Sequence, residues 1–131
     1  RMLRIGLDAR VVVDSHVQAI SASQTGPDVA VLTISHSGAT HETLAATRLA
    51  KDAGAKTIIV TNFSSSPLQA YADVKLFTMA RETKFRTEAM TSRIAQLCVL
   101  DALIAALALA NYGRATETLR KTFDVLSLKR F

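Results

Sequence analysis

Cysteine is nearly absent from this chain. Cys98 is the single one, so no internal disulfide braces the fold, and its place in the apolar run 94–110 predicts a buried, reduced thiol in a cytoplasmic setting. Tryptophan is missing and aromatics make up 5% of residues, so there is no basic and aromatic interleaving of the kind that stacks bases, nor any helix-turn-helix pattern. The chain itself is not expected to hold nucleic acid. No G-x-G-x-x-G follows an apolar run, which excludes the usual dinucleotide loop. No His, Cys and Asp cluster has metal-ligand spacing and no nucleophile stands beside a matched base, so neither metal nor cofactor is expected. No segment of the 131 residues reads as a signal peptide, an internal repeat or a low-complexity tract. The longest apolar run is broken by Gln96 and Asp101, which predicts a buried helix rather than a membrane span; Asp101 reads as a hydrogen-bonded structural residue.

What is present is an apolar chain with a cationic surplus. With 131 residues, 49% of them apolar, the length suits one domain spanning 1–131. The net charge of +5 is spread, with Arg1, Arg4 and Arg10 at the start and Arg114, Arg120, Lys121, Lys129 and Arg130 at the end, and it favours an anionic ligand. Arg1 stands where an initiator methionine would, and the opening reads as a helix tail turning at Gly6; a piece of a longer chain is expected. Four short apolar runs, at 9–14, 29–35, 57–63 and 74–80, have the pattern of buried parallel strands. Helices are predicted over 15–22, 40–53, 67–72, 88–112 and 115–128, with Gly54 closing the second, Ser66 and Pro67 opening the third and a break at Gly113. In the second helix Leu44, Ala45, Leu49 and Ala53 form the expected buried face; in the last, Leu119, Phe123 and Leu126 share a side. Strands alternating with helices make an α/β fold with an open, doubly wound parallel sheet.

Ligands of such sheets gather beyond the carboxyl ends of the strands. Residues 14–16, 35–40, 62–66 and 81–82 all follow strand ends, so they are expected on one rim. The richest stretch is Ser35-His36-Ser37-Gly38-Ala39-Thr40, between a strand and a helix. The first N–H groups of a helix have no internal partners, the helix dipole adds partial positive charge there, and serine and threonine hydroxyls can donate to an anion. Gly38 lets the backbone approach closely. A plainer alternative is that Thr40 or Ser37 caps the helix. Ser64-Ser65-Ser66 is a second candidate loop that turn and capping chemistry also explains.

These segments resemble the sugar isomerase (SIS) domain, and more narrowly the effector domain of RpiR-family bacterial transcriptional regulators. The resemblance spans nearly the whole chain. It is carried by residues 34–42, by residues 53–62 (Ala-Gly-Ala-Lys-Thr-Ile-Ile-Val-Thr-Asn), by Ser66-Pro67-Leu68 with Ala72-Asp73, and by residues 91–97 leading to Asp101. It implies a three-layer α/β/α, flavodoxin-like domain with a five-stranded parallel sheet, here lacking its first strand and most of its first helix. It further implies pairing into a homodimer or higher oligomer, a sugar phosphate as ligand, and DNA bound only through an N-terminal domain absent from this chain. By the same resemblance Ser35, His36, Ser37, Gly38 and Thr40 hold the phosphate, while His16, Glu82 and Arg93 contact the sugar.

The resemblance also separates sensor from enzyme. Arabinose-5-phosphate isomerases of this fold carry a glutamate in the phosphate loop where Ala39 stands here, and aldose–ketose isomerisation needs acid/base groups to move protons between carbons and hydroxyls. A phosphosugar sensor with no catalytic residues is therefore expected; a phosphosugar isomerase using Glu82 as base, or a dimerisation module without a ligand, are the alternatives. Single residues keep plainer readings. His16 suits the first turn of a capped helix, and for His36 the backbone N–H is the better ligand than the ring. His41 suits an exposed helix start, and Glu82 an exposed loop paired with Arg81 or Lys84. Arg93 opens an apolar helix, where a buried guanidinium would demand an anionic partner.

Overall fold

Thr57, Ile58, Ile59, Val60 and Thr61 are an unbroken β-branched run, and they form the middle strand of a three-stranded parallel sheet in the computed structural model, which describes residues 1–81 and 90–128. The strands are β1 (Ala30–Ile34), β2 (Lys56–Thr61) and β3 (Val74–Phe77), side by side in that order. Ala30 to Ile34 pair with Lys56 to Val60, and Ile58 to Thr61 pair with Val74 to Phe77. Branched side chains fit a pleated surface covered on both faces, and Ile59 and Val60 are fully buried. The parallel α/β architecture is as expected, and the order of the described strands runs straight across with no reversal.

The expected strand over 9–14 does not form. Val11 and Val13 are 89% and 83% exposed, and the carbonyls of Val12 and Val13 accept from Gln18 Nε2 at 2.9 and 3.4 Å instead of joining a ladder. A buried parallel strand needs neighbours on its edges, and no described strand pairs with this segment.

The chain divides into two compact units, Val12–Val99 and a second made of Arg1–Val11 with Leu100–Phe131. In the first, α1 (Ser15–Ser23) and α2 (His41–Asp52) meet over small residues: Ala22, Ala50 and Ala55 form the buried cluster, with Val31 and Ala46 against it. Alanine lets helices come close without a side chain intervening. For this reason the buried face of α2 is Thr47 and Ala50 rather than the predicted Leu44, Ala45 and Leu49; Ala45 is exposed and Leu49 is 37% exposed. Glu42 in the first turn and Lys51 in the last suit the helix dipole, and Gly54 closes the helix at φ +92°. Thr47 Oγ1 donates to Thr43 O at 2.7 Å, so its 2.9 Å contact with Thr33 Oγ1 takes its proton from Thr33, tying α2 to β1. At the start of β3, Asp73 accepts from Thr57 N at 2.9 Å, from Thr57 Oγ1 at 3.0 Å and from Lys51 Nζ. The third predicted helix is a short 3-10 turn, Pro67–Tyr71.

In the second unit a 3-10 turn, Leu3–Ile5, ends at Gly6 with φ +84°, as the sequence predicts. Arg114 Nη2 donates to Gly6 O at 2.7 Å, which fastens that turn to α4 (Tyr112–Ser127). The helix break falls at Asn111, not Gly113, which lies in the first turn of α4. The preceding helix α3 (Met90–Ala110) departs most from expectation. Ile94, Leu97 and Leu109 are 60–71% exposed, Cys98 is exposed rather than buried, and Ser92 is the buried residue of the helix. Apolar composition requires a cover, but the described part of this chain does not supply it. With 21 residues and a mean hydropathy of 1.9, α3 is long and apolar enough to cross a membrane by length and composition alone. Asp101, within α3, is engaged as expected, accepting from Arg1 Nη1.

Candidate functional site

The start of α2 lies beyond the carboxyl end of β1, and the backbone of the neighbouring strand holds it there. Ser35 N donates to Val60 O at 3.0 Å, and the carbonyl of His36 accepts from Asn62 N at 3.0 Å and Thr61 Oγ1 at 3.2 Å. The carbonyl of Gly38 accepts from Leu68 N at 3.0 Å, so the Pro67–Tyr71 turn grips the loop from its far side. Asn62 also reaches β3, its Oδ1 accepting from Ala80 N at 2.7 Å and Thr78 Oγ1 at 3.2 Å. Residues 35–40, Asn62 and residues 78–80 are therefore tied along one rim; of the expected segments this joins 35–40 with Asn62, whereas no described hydrogen bond brings 14–16 to them and Glu82 lies outside the described residues.

Within the loop the hydroxyls are oriented by what they accept. Gly38 N donates to Ser35 Oγ at 3.1 Å and Ala39 N to Ser37 Oγ at 3.2 Å. Each serine hydroxyl still has its own proton to donate, and no described residue takes it. Thr40 sits at the N-cap position of α2 but makes no capping hydrogen bond, so the first N–H groups of the helix lack a side-chain partner. This decides against the capping alternative for Thr40. Ser35 is 9% exposed, whereas Ser37 and Thr40 face solvent. The assembly is an uncapped helix start ringed by hydroxyls, suited to an oxyanion carrying more than one negative charge. Among the described residues no group of His, Cys, Asp and Glu is arranged to hold a metal.

The other expected site residues fare differently. His16 is exposed at the start of α1, where Asp14 Oδ1 accepts from both His16 N and Val17 N at 3.0 Å; this is the plainer, capped-helix reading. No described hydrogen bond links His16 to the loop. Arg93 is exposed, so no buried guanidinium awaits an anion there. Glu82 lies outside the described residues. The ring of His36 packs edge-on against Phe63, with centroids 5.6 Å apart, and its Nδ1 is buried without a partner among the described residues. His41 is exposed at the helix start, as expected. An open groove of about 450 Å³ runs along α2, lined by His41, Leu44, Arg48 and Tyr71 among others, and does not include the 35–40 loop. Asn62 falls in the segment expected on the rim, but the sequence assigned no role to Thr61, Asn62 or Leu68 in holding the loop by its carbonyls.

The model of the SIS domain family matches residues 8–106. The chain belongs to the SIS domain family. An uncharacterized HTH-type transcriptional regulator of Caldanaerobacter subterraneus subsp. tengcongensis is 40% identical over 127 residues, covering 97% of this chain and 45% of the relative. The HTH-type transcriptional regulator RpiR of Escherichia coli K12 is 36% identical over 122 residues, covering 93% of this chain and 41% of the relative. The chain thus spans less than half the length of these curated relatives. Among solved structures, the Vibrio vulnificus NanR protein complexed with ManNAc-6P superposes with a TM-score of 0.89 at 26% identity, covering 98% of this chain and 48% of that one. The SIS match extends through most of α3, which identifies that apolar helix as part of the domain.

Proposed function

We propose that this SIS chain is the phosphosugar-sensing effector domain of a bacterial helix-turn-helix transcriptional regulator. The observation that carries the proposal is the uncapped, hydroxyl-lined start of α2. Ser35, Ser37 and Thr40 donate to the phosphate oxygens together with the backbone N–H of His36, and Gly38 admits the anion close to the chain. His16, Glu82 and Arg93 are the candidates for contact with the sugar. The names of the relatives and the ManNAc-6P bound to NanR support this reading, as does the net charge of +5. Residues 1–131 act as one effector domain, paired into a homodimer or higher oligomer in the cytoplasm. A separate domain of the intact protein reads operator DNA.

A sensor works only if the effector binds one arrangement of the protein more tightly than another. By linkage, operator DNA then changes sugar-phosphate affinity by the same factor that the sugar phosphate changes DNA affinity. The exposed apolar residues of α3 and of the Leu119, Phe123 and Leu126 face of α4 favour self-association over a free monomer. Ala39 in the loop weighs against isomerisation, because it supplies no proton acceptor.

The test is a thermal-shift titration of the intact protein with ManNAc-6P and a panel of aldose and ketose phosphates, beside light scattering for oligomeric state. A ligand at a hundred times its Kd stabilises by about 2.7 kcal/mol, readily seen as a rise in Tm. A flat response to every phosphate leaves only a dimerisation module. Interconversion of an aldose and a ketose phosphate by the same protein would replace the sensor with an isomerase.

A further inference from the structure

Position 38 is closed to a side chain by its surroundings as well as by its backbone angle. Gly38 has φ +60°, and a Cβ placed on it would stand 2.4 Å from Ser66 Oγ, 2.6 Å from Ser66 Cβ and 2.9 Å from Thr61 Oγ1. Neither neighbour is free to withdraw. Thr61 is fully buried in β2 and bonded to His36 O, while Ser66 is 7% exposed and precedes Pro67, whose ring restricts the backbone on both sides of it. Ser66 stands at the N-cap of the Pro67–Tyr71 turn, yet its hydroxyl makes no capping bond; it is buried without a partner among the described residues. It is the Gly38 carbonyl that accepts the N–H of Leu68 in that turn. Capping therefore does not account for a serine here, whereas packing against Gly38 does.

We infer that Ser66, with Thr61 beside it, is the positioning wall of the anion loop. The wall sets the height of Gly38 over the sheet, and with it the direction of the Ser35, Ser37 and Thr40 hydroxyls. A site built from several donors must hold them within about 0.5 Å of their working positions, which a loop achieves only when its backbone is backed by packed neighbours. The anion in this inference rests on the phosphosugar reading; the wall itself is a property of the empty loop.

The test compares Gly38→Ala, Ser66→Gly and the double variant in the intact protein. Hydrogen exchange at the Leu68 and Asn62 amides reads the docking of the loop without ligand, and calorimetry with ManNAc-6P, with inorganic phosphate beside it, reads binding. Gly38→Ala is expected to speed Leu68 exchange and weaken ManNAc-6P binding by about tenfold each or more, from overpacking. Ser66→Gly removes both Ser66 atoms facing the new methyl, so the double variant should recover much of the protection and affinity, short of wild type because alanine still resists a positive φ. A double variant no better than Gly38→Ala, or a Gly38→Ala that behaves as wild type, overturns the wall. If Gly38→Ala does not fold, Ser66→Gly alone decides, through faster Leu68 exchange or its absence. Wild type that ignores both phosphates refutes the phosphosugar reading, and the exchange data still decide the wall.

Discussion

The starts of α1 and α2 are built from similar residue types and finished in opposite ways. Asp14 precedes α1 and its carboxylate accepts from two first-turn amides at 3.0 Å, so that helix start is satisfied from within and carries a negative charge. Thr40 precedes α2 and caps nothing, while Ser35 and Ser37 accept from Gly38 and Ala39 and donate their own protons to no described residue. Leaving a helix start uncapped costs about 1 kcal/mol. On the proposed reading that cost is carried because an anion completes the start of α2, whereas α1 has the cheaper and closed solution.

The largest effect should come from removing the open site itself. Ser35→Ala with Ser37→Ala is expected to abolish the Tm rise with ManNAc-6P and with inorganic phosphate, while the fold survives at a cost of about 1–3 kcal/mol for the Gly38 amide left without its acceptor. A double variant that responds like wild type removes the loop from the site. Next is conversion of one helix start into the other. Thr40→Asp should cap α2 as Asp14 caps α1, stabilise the ligand-free protein by about 0.5–1 kcal/mol and eliminate the phosphate response through charge repulsion; urea unfolding with and without phosphate measures both. The reverse change at α1 is milder. Asp14→Ala should lose about 1 kcal/mol of stability in the same assay and leave the response to inorganic phosphate intact.

The smallest effect concerns a carboxylate far from either start. The hydrogen bond from Lys51, followed by that from the Thr57 amide, holds the Asp73 carboxyl well below the usual carboxylate range. Because its folded pKa is depressed, its contribution is fully present above the unfolded value of about 3.9 and fades as pH falls below it. Asp73→Asn should flatten the loss of stability between about pH 4 and pH 2 and change the phosphate response little. An unchanged acid limb would show that the Lys51 and Thr57 contacts do not bind the folded state together.

Legibility differed by region for physical reasons. β2 was readable because Thr57 to Thr61 is an unbroken β-branched run with an apolar centre, a pattern that favours a covered strand. The loop was readable because its chemistry is local: hydroxyls, a glycine and a helix start within six consecutive residues. The run at 9–14 misled because Val11, Val12 and Val13 satisfy the strand pattern without specifying a partner edge. Leu44 and Leu49 misled because apolar size suggested the buried face, whereas close packing of α1 on α2 selected Ala46, Thr47 and Ala50. Cys98 and the rest of α3 read as buried because composition reports that a surface needs covering but not what covers it.

By itself the amino-acid order determined that strands and helices alternate, that the helix starting near residue 41 ends at Gly54, and that an anion-compatible loop joins it to β1. These are short-range matters of side-chain branching, backbone freedom and donor spacing. Tertiary structure alone decided that Thr40 leaves its helix uncapped, that Leu68 and Thr61 hold the loop by its carbonyls, and that Ser66 stands against Gly38. The first is the local conformation the finished loop imposes; the other two join residues far apart in the chain, and such contacts are set by the packing of β2 between its neighbours, which no local pattern encodes.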